Sequence, residues 1–215
     1  EDRERDVDRK PSDVLDFFGI EPSSRVVELM AGRGWYTEIL GRLLIDGQLV
    51  VQNNAYVLER FAEAPLSERL ARLDASDRIV RLDAELDALP WLAPDAPDRG
   101  TYDAVLMVLF YHDTVWMEVD REAMNRAIFE ALRPGGVYAV VDHVAEAGSG
   151  LRDVQTLHRI DPEVVRSEVL AAGFVLDGTS DVLAHPEDDH TLNVFDDAIR
   201  GRTDRFVMRF VKPGG

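Results

Sequence analysis

The sequence predicts an α/β fold built on a doubly wound, mainly parallel sheet. Three observations carry that prediction. Between residues 25 and 143, segments rich in β-branched residues alternate with amphipathic segments of helical period, the pattern of βαβ units with right-handed crossovers. The stretch 102–112, "YDAVLMVLFYH", is almost continuously apolar, as a strand buried on both faces must be. The stretch 26–40, "VVELMAGRGWYTEIL", ends a strand and opens a helix on Gly32 and Gly34. A tight turn without side chains leaves room for a ligand beside the backbone, at the strand edge where open parallel sheets bind theirs.

Each element follows in order. Residues 1–10 are a run of charges with little to bury, expected as a solvated or frayed arm. Residues 11–24 hold a short helix, "DVLDFFGI", closed by Gly19, and a linker. "SRVVEL" is the first buried strand. "GWYTEILGRLLIDG" has apolar residues at helical spacing (Trp35, Ile39, Leu43) and stops at Gly47. "QLVVQ" is a second strand, and 56–73 a helix interrupted near Pro65. "DRIVRLDA" is a third strand, followed by a Pro- and Asp-rich loop through Gly100. After the fourth strand, 120–132 reads as a helix ended by the turn "RPGG", and "VYAVVDH" as a fifth strand. The tail then changes character. "DPEVVRSEVLAAGF" is a helix closed by Gly173, and "VLDGTSDVLA" and "DRFVMRFVKP" are strands with no helix between them. They are expected as an antiparallel pair at the sheet edge. The whole reads as one domain of 215 residues, with 25–143 as the ligand-binding core and 144–215 as a cover plus terminal hairpin.

Composition narrows the function. The chain carries 24 Lys+Arg against 41 Asp+Glu, a formal net charge of -17. That field repels nucleic-acid backbones and anionic membranes, and no basic patch stands out to oppose it. The longest apolar run is far short of the roughly 20 residues that cross a bilayer. With no cysteine, thiolate catalysis and zinc–thiolate sites are excluded. The glycine turn matches neither the dinucleotide fingerprint nor the P-loop. Glu28 at the strand end would repel a pyrophosphate and receive an amine.

"VVELMAGRGWYTEIL", "GQLVVQNN", "RLDAELDALP", "YDAVLMVLFYHD" and "LRPGGVYAVVDH" together resemble, in order, the motifs of class I S-adenosylmethionine-dependent methyltransferases. The tail segments "LHRID", "AAGF" and "RGRTDRFVMRFVKP" resemble a poorly characterised bacterial branch of that group. The resemblance implies a Rossmann-like, seven-stranded sheet with the last strand antiparallel. It implies S-adenosylmethionine as cofactor, with Glu28, Ala31, Gly32 and Gly34 lining its methionine part. It sets Asn53, with Asn54 beside it, where relatives carry an acid that grips the ribose, and Asp83 and Ala84 at the adenine. Two departures stand out: Met30 replaces the first glycine of the loop, and an amide replaces the ribose acid. The activity implied is methyl transfer to oxygen or nitrogen of a small molecule, in the cytoplasm where the methyl donor is made; the alternative location is export with removal of a signal peptide. The absence of an "NPPY"-like stretch counts against base or amide N-methylation as in relatives bearing it. The alternative is a methyltransferase-fold domain that has lost or repurposed cofactor binding.

The candidate chemistry is histidine chemistry. His112 follows the fourth strand and His143 the fifth, so both imidazoles are expected on the ligand edge as general bases, with Asp113 and Asp142 beside them to orient a ring. His158, with Arg159 after it, falls in the connection expected to cover the acceptor, and Tyr111 is a candidate wall. "HPEDDH" at 185–190 offers two imidazoles and three carboxylates, but at no zinc spacing. It is expected as a solvated loop, and no metal is expected in the chain. "IRGRTDRF" offers Arg200 and Arg202 to an anionic acceptor, although pairing with the acidic surplus is the commoner use of such arginines.

Overall fold

The computed structural model describes residues 2–73 and 77–214. Glu1 and Gly215, the ends of the expected arm and terminal cover, lie outside the described residues.

A single seven-stranded sheet runs in the order β3-β2-β1-β4-β5-β7-β6. Its strands are β1 (Arg25–Leu29), β2 (Gln48–Asn53), β3 (Ile79–Asp83), β4 (Tyr102–Val108), β5 (Leu132–His143), β6 (Val175–Ser180) and β7 (Arg205–Val211). The first five pair in parallel, and β7 runs antiparallel to both β5 and β6. The expected terminal pair therefore forms, with β7 slotted inside it and β6 on the rim. β1 and β4 are neighbours, and the chain winds outward from them in both directions. The sheet thus has its topological switch point between their carboxyl ends. β4 is buried at Tyr102 and from Ala104 to Met107, as its unbroken apolar run requires. On the rim, β6 alternates exposed and half-buried residues.

The helices begin and end where local chemistry allows. α1 (Asp6–Arg9) follows a 3-10 turn at Asp2–Arg5. α2 (Pro11–Phe18) opens on Pro11 and closes on Gly19 at φ 72, whose N–H and that of Ile20 satisfy the last carbonyls. α3 (Trp35–Leu43) joins β1 to β2, α4 (Ala55–Val57) and α5 (Glu63–Leu73) lie between β2 and β3, and α6 (Asp113–Trp116) is a single turn after β4. α7 (Arg121–Ala131) is capped by Asp120, whose side chain accepts from the Ala123 N–H at 3.0 Å; α8 (Pro162–Ala171) is capped likewise by Asp161.

The interruption expected near Pro65 takes the form of a wide π turn at Leu58–Ala62, which runs straight into α5 and ends three residues before the proline. Three local expectations are corrected. "RPGG" is no free turn: it is carried in β5 as an irregularity, the register slipping from Tyr102↔Leu132 to Ala104↔Val137. The arm is helical and docked, with the Arg205 guanidinium donating to the Asp8 carbonyl at 2.8 Å. The loop 185–190 is tied down: Asp188 is buried and accepts from the Arg159 guanidinium and from the backbone N–H groups of His190 and Asp204.

Candidate active site

The turn between β1 and α3 is fixed from behind. Gly34 has φ 80, a backbone conformation that favours glycine, and a Cβ there would press on the Leu66 side chain at 2.8 Å and the Arg69 side chain at 3.0 Å, which would have to shift. Gly32 has φ 57 with only ordinary contacts around it. Its N–H donates to Asn53 Oδ1 at 2.8 Å, and Asn53 Nδ2 donates back to its carbonyl at 3.2 Å. Gln52 Oε1 accepts from the Met30 N–H, while its Nε2 donates to the Ala84 carbonyl. Two amides at the end of β2 therefore hold the loop in a shape that puts Met30, a non-glycine residue, at φ 50.

In front of this loop, at the carboxyl ends of β1 and β4, opens a cavity of about 600 Å³. Glu28, Ala31 and Gly32 form its floor, and Tyr56, Phe61 and Phe110 its aromatic walls. Glu28 is 5% exposed. Burial pushes its carboxyl up to about 8, against the opposing pull of Thr37 and the Arg69 charge; the Thr37 hydroxyl donates to it at 2.6 Å.

The three candidate histidines all reach this cavity. His112 is buried between two carboxylates: Nδ1 lies 2.8 Å from Asp142 and Nε2 3.1 Å from Asp113. Burial alone would lower its pKa, but those two acids outweigh it and raise it to about 10. Asp113 is correspondingly held well below the carboxylate range: burial works against this, and bonds to His112 and His158 prevail. His143, at the end of β5, is pushed the other way, first by burial and then by the charges of His112, Arg205 and Arg159, and is neutral. Its Nδ1 lies 2.8 Å from the Thr203 hydroxyl. The His158 ring packs edge-on against His112 with centroids 5.4 Å apart, and Phe195 closes over it at 4.9 Å.

No protein-family model and no curated protein sequence matches the chain. Solved structures match over nearly its full length. The chain resembles the 4+2 cyclase SpnF with a TM-score of 0.68 at 18% identity, covering 97% of this chain and 81% of that one. It resembles a SAM-dependent methyltransferase from Aquifex aeolicus with a TM-score of 0.65 at 14% identity, over 94% and 89% of the two chains. The likeness to a geranyl diphosphate methyltransferase in complex with SAM is similar, with a TM-score of 0.65 at 13% identity over 95% and 85%. The fold is that of the class I S-adenosylmethionine-dependent methyltransferases. At such identities the likeness is one of architecture.

Within this methyltransferase fold the expected cofactor residues divide. Glu28, Ala31 and Gly32 line the cavity, whereas Gly34, Asn53, Asn54, Asp83 and Ala84 do not. Gly34 supports the loop from the α5 side. Asn53 spends its amide on Gly32, and Asn54 caps α4, accepting from the Val57 N–H at 3.0 Å. Asp83 is exposed and paired with Arg81. Tyr111 is no wall: it is fully buried on the helical side, its hydroxyl 2.8 Å from Glu168.

Of the arginines at the cavity, only Arg200 is a candidate from the sequence. Arg5, Arg9, Arg33, Arg60, Arg200 and Arg205 all border the cavity, while Arg202 turns back to the Ala198 carbonyl. The cause is topological. Because β7 is antiparallel, its first residue meets the carboxyl edge, and the register pairs Arg205 with His143. Arg205 is buried, with its described bonds going to backbone carbonyls of Thr203, Asp8 and Gly201. From α1, Arg9 lies over Trp35 at 4.7 Å from the ring centre.

Proposed function

We propose that the chain transfers a methyl group from S-adenosylmethionine to an oxygen or nitrogen of a small acceptor. The observation that carries this reading is Glu28, a buried carboxylate kept in the wall of a cavity at the switch point. A cationic amine brought beside it would let it ionise and would gain a charge-assisted hydrogen bond. Ala31 and Gly32 present backbone next to it, and Tyr56 and Phe61, which line the cavity, offer aromatic rings for a base. When bound, the cofactor supplies an electrophilic methyl on a sulfonium. The chain's part is to align the acceptor and take up its proton. Among the three histidines, neutral His143 suits that role, since Thr203 fixes one ring nitrogen and the ring borders the cavity. His112, already protonated between two acids, does not. The six bordering arginines favour an acceptor bearing a carboxylate or phosphate.

One observation favours a second reading, a fold that keeps its cavity without the cofactor. The side-chain amides of Asn53 and Asn54 are both committed to the chain itself, so neither presents a grip for a ribose diol. The similarity to a protein named a cyclase shows that this architecture is found under other names. Calorimetry separates the two readings. S-adenosylmethionine and its demethylated product should both bind, and Glu28→Gln should weaken the complex by about 1.5–3 kcal/mol, roughly ten- to a hundredfold. No binding of either compound at millimolar concentration would leave the second reading.

A further inference from the structure

At the acceptor end of the cavity, His112, Asp113 and His158 each offer one ligand atom, and these atoms all lie within 4.8 Å of one another. We propose that this trio holds a divalent transition-metal ion whose remaining coordination positions face the cavity. Two ligand atoms about 2.1 Å from one ion stand about 3.0–3.4 Å apart. Asp113 Oδ1 lies 3.1 Å from His112 Nε2 and 3.4 Å from His158 Nδ1, and the ligand nitrogens of the two imidazoles lie within 4.8 Å of each other. An ion among the three takes the place of the proton that His112 Nε2 shares with Asp113, which leaves to solvent, and draws the two rings together. Two imidazoles and one carboxylate on a single side, with the other side open, suit Fe, Co or Zn better than the all-oxygen preference of Ca or Mg.

The surroundings are those of a supported ligand set. Asp142, fully buried, takes His112 Nδ1 at 2.8 Å on one oxygen and the His112 backbone N–H at 2.8 Å on the other. That bond turns Nε2 toward Asp113, as an outer carboxylate does for a metal-bound imidazole. Trp116 Nε1–H donates to Asp113 at 2.8 Å and fixes the carboxylate. His158 is held at φ 55 beneath Phe195, a strained backbone of the sort that persists at ligand sites. The trio joins the connections after β4 and β5, too far apart in sequence to show a ligand spacing.

An ion here would act as a Lewis acid beside His143, whose ring centre is 6.0 Å from that of His112. A coordinated hydroxyl would lose its proton to His143, and the resulting oxyanion would be the nucleophile. The acceptor class is then an oxygen acceptor with a second oxygen for chelation, such as a hydroxy acid. This last step rests on the methyl-transfer reading; the ion site itself does not.

The test therefore omits the methyl donor. Chelator-treated protein is titrated with Co2+ and Zn2+ by calorimetry, and the visible absorption of Co2+ is followed in parallel. The expected result is one ion per chain with nitrogen-ligated Co2+ bands. Asp113→Asn and His158→Ala should each weaken binding at least about tenfold, and His185→Ala, in the other histidine–carboxylate cluster, should leave it unchanged. The His158 side chain is 25% exposed, so its truncation should leave the thermal melt in place, which makes it the decisive variant. No ion bound at millimolar concentration, or binding that survives His158→Ala, overturns the proposal. Donor binding is measured separately, and its failure would leave the metal result standing.

Discussion

A carboxylate at the end of a buried strand is costly to ionise, and Glu28 bears that cost with only partial relief. Its pKa, raised from 4.5 to about 8 chiefly by burial, is a statement about stability. A group whose folded pKa lies above its unfolded value stabilises the fold fully below the unfolded pKa, and the contribution is lost as pH rises through the folded one. The loss from Glu28 should therefore run between about pH 4.5 and pH 8 and amount to a few kcal/mol. Glu28→Gln has no proton to lose and can still accept from the Thr37 hydroxyl. Denaturant melts of the two proteins should coincide near pH 4.5 and separate steadily toward pH 8, with the variant the more stable. Parallel profiles would mean that the site is already wet enough to ionise freely. The same residue explains why one turn held two messages in the sequence. Gly34 is favoured by its φ of 80 and by Leu66 and Arg69 packed behind it, which is architecture; Gly32 is backed by Asn53 and opens onto the cavity beside Glu28.

At the scale of elements, the parallel half of the sheet was legible because periodicity and burial agree there: a nearly all-apolar β4 can only be central. His112 and His143 could be placed for the same reason, each following a strand whose end meets the cavity, and His158 borders it from the connection after β5. The terminal antiparallel pair was legible because no helix separates its strands. What periodicity does not encode is where an antiparallel strand begins. The placement of β7 brings Arg200, Gly201, Thr203 and Arg205 to the cavity, and nothing local in "IRGRTDRF" tells Arg200 and Arg205, which border it, from Arg202, which turns away. The loop 185–190 misled for a related reason, since its polarity serves an internal partner. Arg159 is fully buried, donating to the Leu192 and Val144 carbonyls at 3.0 Å and pairing with Asp188 at 2.9 Å. It thereby ties the connection bearing His158 to the loop that carries Phe195. Arg159→Met would strand the Asp188 charge, a loss of about 3–5 kcal/mol, or roughly 10 °C in Tm for a chain of this size. Adding Asp188→Leu should restore much of that loss, because the pair is then removed together. A double variant no better than the single would locate the stabilisation in the carbonyl bonds instead.

Over the whole molecule two fields compete. The chain carries a net charge of -17, yet six arginines border its one described cavity, of which Arg5, Arg33, Arg60 and Arg200 are exposed. Which field an approaching anion senses depends on screening. At about 0.01 M salt the Debye length is about 30 Å, comparable to a domain, and the distant acidic surface reaches the cavity mouth. At 0.15 M it shrinks to about 8 Å, and only the arginine rim remains in range. A simple basic site binds anions more weakly as salt rises. Here the far repulsion is screened first, so affinity for a small anionic probe should hold steady or rise between 0.01 and 0.15 M salt. Inorganic pyrophosphate followed by calorimetry is a suitable probe, since its charge is high and its fit undemanding. Arg5→Gln combined with Arg200→Gln should weaken it several-fold at 0.15 M, where the rim acts alone, with little change in the thermal melt because both side chains are exposed. A steep loss of affinity with salt in the parent protein would mean that the rim dominates at every range, and that the acidic surface plays no part in choosing what enters.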